Sequence, residues 1–441
     1  MKPIYNILYS LLLIAGFMSC VTEDITGNCP DESGTGALGN AQVMLNLSVP
    51  SNRLPSATRA IKDESGIDVL NMLVFENNTL KKVTDITSKY KSGYTDENNS
   101  SFFYVSIKET KNPVRLFIIA NADLSELSEE SSSLDDAMKL TFRNSNNMKS
   151  IPMYGEAVSD EFESGLSRDK TYNKVPVELI RSFAKIEVQY NSSQPKSEFE
   201  FLGAEVINVN TGGYVANRED ILAGQSTETL SVIPTIISEG PNRREIATFY
   251  VGETANNAQN KVSVIIHGKY EGTEGYYRLD MIKADGKDEI DLLKRNYRYV
   301  FVLQNVNYEG RGKGEVLTGD SDNKPFQTNV MTLTAAESDI LDITTDDNYF
   351  LGVNTSTLQL TDNGSICFTK LKVLTNNTAD GWVIADYPTP GITFTPGIEG
   401  GKGARVVNAV WIYIDKKHIT KNFNFYVKTG KIRKTITVKM P

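Results

Sequence analysis

Val177-Glu178-Leu179-Ile180-Arg181-Ser182-Phe183-Ala184-Lys185-Ile186-Glu187-Val188 is the stretch from which the fold is read. It reads as a strand, a tight continuation and then a strand of alternating apolar and charged residues. A period of two is that of a pleated backbone with one face buried. The same signature recurs on both sides. Upstream lie Gln42 to Val49, ending at Pro50, then Val69 to Phe75, Phe102 to Ile107 and Val114 to Ala120. Downstream lie Phe201 to Ile207, Ile246 to Val251, Lys261 to Ile266 and Tyr297 to Leu303. Each is short, rich in branched or aromatic residues and bounded by Asn, Asp, Gly or Ser. Helical periodicity surfaces only weakly, near Ser125 to Leu140. Many short strands with polar turns predict an all-β chain of sandwiches or barrels rather than a parallel α/β sheet. No period repeats closely enough for a solenoid.

The N-terminus points to export. Met1-Lys2-Pro3 is a short basic start, and Tyr9 to Met18 is an apolar run too short to span a bilayer but suited to a secretory signal. The run closes at Ser19-Cys20. That pattern resembles a bacterial lipobox, in which Cys20 becomes the acylated first residue of the mature chain and the outer membrane a partner through its lipid. Phe17 and Met18 depart from the usual small and branched residues of that motif. Val21-Thr22-Glu23-Asp24 resembles the acidic surface-export tag of Bacteroidetes lipoproteins. The expected location is therefore the surface of the outer membrane.

Composition narrows the function. With Cys20 acylated, only Cys29 and Cys367 remain, so no disulfide framework is expected. His267 and His418 are the only histidines, neither at metal-ligand spacing from a second ligand, and Cys-x-x-Cys is absent. No cofactor is expected. A net charge of −9 argues against a nucleic-acid partner. The 40 % hydrophobic content and the length allow two to three domains with their own cores.

Five landmarks, in order, carry a resemblance. They are Thr58-Arg59-Ala60, Phe117 to Ala122, Ile151-Pro152-Met153-Tyr154-Gly155-Glu156, Leu179 to Ile186, and Lys294-Arg295-Asn296-Tyr297-Arg298-Tyr299. Over roughly residues 40–312 they resemble the fimbrillin family of Bacteroidales, whose members are fimbrial subunit lipoproteins. The resemblance implies two tandem transthyretin-like β-sandwiches and polymerisation with other fimbrial subunits by strand exchange. It further implies an Arg-specific protease that removes the anchored N-terminal segment with its first strand. Here Ala41 to Val49 is the plausible removable strand. The linker behind it, Ser51 to Ile61, carries Arg53 and Arg59, and exposed polar linkers are where nicking happens. Pro55 lies two residues beyond Arg53, whereas a small Ala60 follows Arg59, so Arg59 is the preferred cleavage site and Arg53 the alternative.

The resemblance ends near Gly312. The expected division is residues 1–20 as signal peptide, 21–60 as tether with removable strand, 61–172 and 173–312 as two sandwiches, and 313–326 as a linker. Residues 327–441 would then form a C-terminal immunoglobulin-like β domain. Thr332 to Ile343, Ser365 to Val373, Val406 to Ile414, Phe423 to Val427 and the end from Gly430 to Met440 read as its strands. With Gly381-Trp382, this unit is loosely similar to modules of the BACON type. An appended domain should interfere with lending a C-terminal strand, which ranks tip or accessory subunit before stalk, and stalk before base anchor. A host or bacterial surface receptor would be a further partner.

Other readings are weaker. No triad or acid–base motif surrounds His267, read as an edge histidine, or His418 in its charged cluster, so an enzyme is not expected. Thr318 to Asn323 lacks EF-hand spacing and reads as a solvated loop rather than a calcium site. Trp382, Trp411 and the tyrosines could stack on sugars in a surface polysaccharide-binding lipoprotein of a nutrient-uptake system. Aromatics at strand spacing are more often core.

Overall fold

The computed structural model describes residues 39–49, 66–95, 100–143, 150–192, 195–218, 227–238, 243–283, 288–326, 328, 330–337, 339–346 and 349–441. The chain is nearly all-β, built as sandwiches in which alternate residues of each strand face a shared apolar layer. The first comprises β1 (Asn40–Ser48), β2 (Leu70–Glu76), β3 (Thr79–Asp85), β4 (Ser100–Lys108), β5 (Val114–Ala120), β6 (Met153–Ala157) and β7 (Thr171–Glu178). β4, β1 and β7 lie side by side in one sheet, and β6, β5, β2 and β3 form the other. Between them pack Val43, Leu45, Leu47, Met72, Val74, Val105, Leu116, Ile118 and Val177.

The second sandwich repeats this plan strand for strand. Its members are β8 (Ala184–Ser192), β9 (Phe199–Asn210), β10 (Thr227–Val232), β11 (Arg243–Val251), β12 (Ser263–Tyr270), β13 (Thr273–Asp280) and β14 (Arg298–Leu303). β8 runs antiparallel to β11 and parallel to β14, as β1 runs antiparallel to β4 and parallel to β7. The opposing sheet, in the order β13-β12-β9-β10, matches β6-β5-β2-β3. β15 (Met331–Leu333) then adds to the free side of β14.

The third sandwich holds β16 (Asp342–Thr345), β17 (Phe350–Val353), β18 (Thr357–Gln359), β19 (Ile366–Thr375), β20 (Trp382–Ala385), β21 (Ile392–Thr395), β22 (Asn408–Asp415), β23 (Phe423–Thr429) and β24 (Ile432–Lys439). One sheet has the order β16-β17-β19-β22-β21, the other β18-β24-β23-β20. Its core gathers Leu371, Trp382, Ile412, Phe425 and Ile436.

Several expected boundaries move. A division at 172/173 would cut β7, which belongs to the first sandwich through its pairing with β1. Residues 313–326 are not a linker. They form short helices, Lys313–Thr318 and Asn323–Phe326, with Val316 fully buried and Phe326 in the core of the second sandwich. The glycine-rich stretch before them is docked rather than flexible, for a Cβ on Gly275 would stand 2.5 Å from the Gly310 Cα. Only glycine at both positions permits that approach. Thr332 to Ile343 is not one strand, since a 3₁₀ turn at Ala335–Glu337 separates β15 from β16. Near Ser125 to Leu140 the helix is confined to Leu134–Met138.

β15 is the reason the second and third sandwiches meet. Met331 and Leu333 join Val300 and Val302 on the outer face of β14 and pack with Ile340, Ile343, Phe350 and Leu374. A seam of eight buried apolar residues is a small core in its own right. Leu333→Ala should therefore cost roughly 2–5 kcal/mol. Scanning calorimetry should show the third sandwich melting ahead of the second in this variant, and an unchanged profile would count against the seam.

Candidate assembly site

β1 is where sequence and topology converge. Ala41, Val43, Leu45 and Leu47 alternate with Gln42, Met44, Asn46 and Ser48, and all four are completely buried. β1 is also interior to its sheet. It pairs along its whole length with β4, from Asn40↔Lys108 to Ser48↔Ser100. Its other edge pairs with β7 from Gln42↔Thr171 to Ser48↔Glu178. Fully burying a Val or Leu side chain is worth roughly 1.5–3 kcal/mol. Val43, Leu45 and Leu47 together thus contribute about 5–9 kcal/mol, comparable with the whole stability of a small domain. Without β1 the sandwich would have an apolar trough between two unpaired strand edges.

The attachment of β1 differs from that of its counterpart β8. Residues 193–198 join β8 to β9, whereas residues 49–69 separate β1 from β2. The long connection lands on Asn121, which holds a positive φ of 58° at the end of β5. Its Oδ1 accepts from the amides of Asp68 (2.9 Å) and Val69 (3.3 Å). Its Nδ2 donates to the carbonyls of Gly66 (2.8 Å) and Ile151 (2.9 Å). Asn tolerates this left-handed backbone, and its amide ties three chain segments at one point. The Asn121-Ala122 and Ile151-Pro152 stretches are thus the two sides of one clasp. Cys20, Arg53 and Arg59 lie outside the described residues.

The C-terminal strand is tied down. β24 pairs antiparallel with β23 from Ile432 to Val438, and its last three residues, Thr437 to Lys439, pair parallel with β18. Ile432, Ile436 and Val438 point into the core, and Lys434 on the same face is also buried. Its ammonium lies 2.7 Å from Asp342 and donates to the Thr344 hydroxyl at 2.8 Å. Arg244 approaches the other Asp342 oxygen at 3.4 Å, across from the second sandwich. Burial alone would raise the Asp342 carboxyl, but the Lys434 and Arg244 charges outweigh it and hold it low.

A second buried charge group stands beside the seam. Glu187 on β8 accepts from Arg298 Nε (2.9 Å) and pairs with Lys185 (2.6 Å), and Arg298 Nη1 donates to the Ile340 carbonyl at 2.6 Å. Burial opposes ionisation of Glu187, yet the two cations bring its carboxyl to about 2. A carboxyl depressed from its ordinary 4.5 stabilises the fold fully above about pH 4.5 and loses that contribution as pH falls toward 2.

Other sequence candidates resolve into structural roles. Thr318 to Asn323 is solvated only in part: Thr318, Gly319 and Asp320 are exposed, whereas Asp322 and Asn323 are buried and complete the free edge of β13. Asp322 accepts from the Arg278 amide (2.7 Å) and Arg311 (2.6 Å), while Asn323 accepts from the Asp280 amide (2.8 Å) and donates to its carbonyl (3.1 Å). These side chains imitate a neighbouring strand where none runs. Hydrophobic periodicity carries no sign of such pairing. His267 is not on an edge strand, because β12 lies between β9 and β13, and its ring stacks on Tyr276 at 4.6 Å. His418 Nδ1 is 3.0 Å from Asp415 Oδ2 at the surface. Among the described residues no three His, Cys, Asp or Glu side chains are grouped as metal ligands. No helix among them is long and apolar enough to cross a membrane. Trp382 is core, its indole N–H donating to Asn408 Oδ1 at 2.9 Å, whereas Trp411 is 38 % exposed.

No family model matches the chain, and no curated protein matches it. Among solved structures it is similar to the tip fimbrial protein Mfa3 from Porphyromonas gingivalis, with C-terminal truncation. The identity is 14 % and the TM-score 0.40, covering 67 % of this chain and 98 % of that one. A fimbrial assembly protein from Parabacteroides distasonis is similar at 14 % identity and a TM-score of 0.39, covering 61 % and 92 %.

The Glu187 cluster yields a test of the junction. Glu187→Gln should flatten the loss of stability between pH 4.5 and 2, because the variant has no carboxyl there to protonate. At neutral pH it should be weaker than the parent, since Arg298 and Lys185 lose their counter-charge. Denaturant melts of parent and variant across that range check both signs, and parallel curves would remove Glu187 as the source.

Proposed function

We propose that this chain is a structural and adhesive subunit of a cell-surface fimbria, exported as a lipoprotein and assembled by protease-triggered strand exchange. The observation that carries the proposal is β1, a strand fully buried on one face, paired on both edges and joined to β2 through a long connection carrying Arg53 and Arg59. Excising such a strand creates a site that an extended segment of a neighbouring subunit can fill. Backbone pairing would supply the affinity of that joint and alternate side chains its specificity. The family-like landmarks over residues 40–312 support the same reading.

The position proposed within the fimbria is tip or accessory. A chain that lends its last strand must free it, and here that means breaking the ladder with β23 and the short one with β18, and taking Lys434 away from the buried Asp342. Removing one partner of such a pair costs roughly 3–5 kcal/mol, on top of the exposed core. This supports a subunit that accepts a strand at one end and donates none.

Arg59→Ala should block trimming or shift it to Arg53, and the double substitution should abolish entry into heat-resistant complexes with other fimbrial subunits. N-terminal sequencing and immunoblots of surface-recovered protein read both outcomes. If the double variant enters fimbriae at the parent level, cleavage-driven strand exchange is wrong and the base-anchor reading takes its place. Cys20→Ala should abolish acyl labelling and release the protein from the membrane fraction, and labelling that persists would exclude Cys20 as the anchor.

A further inference from the structure

The solvent face of the third sandwich carries aromatics that its core does not use. On β22, Trp411 and Tyr413 point outward, each 38 % exposed, while Val410, Ile412 and Ile414 fill the core behind them. The strand is interior, between β19 and β21. Register places Lys370 and Thr395 on either side of Trp411, and Phe368 and Thr393 on either side of Tyr413. The Phe368 ring lies 6.2 Å from Trp411 and 6.4 Å from Tyr413, centroid to centroid. The result is a floor of three neighbouring rings, with Phe368 tilted 50° to Trp411 and 35° to Tyr413, edged by two exposed threonines on one side and a lysine on the other. Residues two apart on a strand repeat at about 6.8 Å, so the floor is longer than a single ring.

The charges around this floor are uneven. Asp362 is paired with Lys416, Asp415 with His418, and Asp339 with Lys372. Lys370 has no carboxylate partner among the described residues, and its ammonium sits 5.3 Å from the Trp411 ring centroid. A lone cation over a half-exposed indole is poorly suited to a protein interface core, where lysine is depleted and burying an unpaired ammonium is costly. It is well suited to a ligand that brings its own anion.

We propose that this face is a binding platform for an acidic glycan, a pyranose chain bearing carboxylates of the hexuronate or sialate type. The C–H-rich face of a pyranose stacks on Trp411 and Tyr413, which present flat rings that lose little freedom on binding. Its ring hydroxyls meet Thr393 and Thr395 at the platform edge. Its carboxylate takes Lys370, replacing the cation–π contact with a charge-assisted hydrogen bond. The platform is independent of how the chain assembles.

Oligogalacturonate and sialyllactose are the probes, with a neutral galactan oligomer and lactose as matched controls, titrated into the full-length protein by calorimetry. At least one acidic probe should bind, and more tightly than its control. Trp411→Ala should weaken it about tenfold or more. Lys370→Gln should remove the preference for the acidic probe while leaving the melting temperature unchanged. Binding that survives Trp411→Ala and Tyr413→Ala together, equal affinity for neutral and acidic probes, or no binding by either acidic probe would each overturn the proposal. So would loss of fimbrial incorporation in Trp411→Ala with no glycan binding in the parent, which would make this face a subunit contact.

Discussion

The first sandwich depends on a strand that the chain makes before any of its partners. β1 completes the apolar layer with four fully buried side chains and bridges β4 to β7, two strands separated from it by tens of residues. Neither β4 nor β7 pairs with the other. All coherence of that sheet therefore passes through β1, and a non-local contact of this kind is paid for in loop-closure entropy before it returns any energy. The second sandwich uses the same device with β8 between β11 and β14, but there the strand is held by a short connection and by buried charges on its outer face. The two copies of one topology differ in how firmly the first strand is attached. That difference, rather than the fold itself, is what makes β1 a candidate for exchange.

The junction of the second and third sandwiches works against exchange at the other end. Its apolar seam is flanked by two buried charge groups, Glu187 with Lys185 and Arg298, and Asp342 with Lys434 and Arg244. Buried ion pairs add little net stability, since desolvation offsets most of their attraction. They do penalise partial disruption, because separating the partners leaves charge without water or counter-charge. Arg298 and Asp342 each bond across the junction, so sliding or peeling there exposes both groups together. Placing Lys434 within β24 extends that penalty to the C-terminal strand.

Strands were legible in the sequence wherever residues alternate between core and solvent or are apolar on both faces. β1, β2, β5, β11 and β24 alternate visibly or are nearly all apolar, and their pattern alone locates them. Contacts made by polar groups were not legible. The docked Gly310 stretch has the composition of a linker, and nothing local reveals Gly275 against it. Asp322 and Asn323 look solvated because their partners are backbone amides some forty residues away. The seven-strand duplication shows in no residue repeat either, since topology constrains which face is apolar but not which apolar residue fills it. Of the tryptophans, sequence could not separate the buried Trp382 from the exposed Trp411, as both sit in alternating strands.

These features divide the labour of the chain by position. If β1 is removed as proposed, the sandwich must stay folded until a replacement arrives, although it has lost about as much burial energy as a small domain's whole stability. The opposite sheet of the first sandwich helps here: β6, β5, β2 and β3 pair without β1, and a separate apolar cluster on their outer face includes Phe75, Phe117, Leu80 and Val215. Val215 comes from the second sandwich, and the Arg295 guanidinium clamps its carbonyl at 3.0 Å while pairing with Glu253. Half of the first sandwich is thus packed against a neighbour that does not require β1. A unit supported on one side only can open on the other without dissolving, and the open side is the one on which β1 lies.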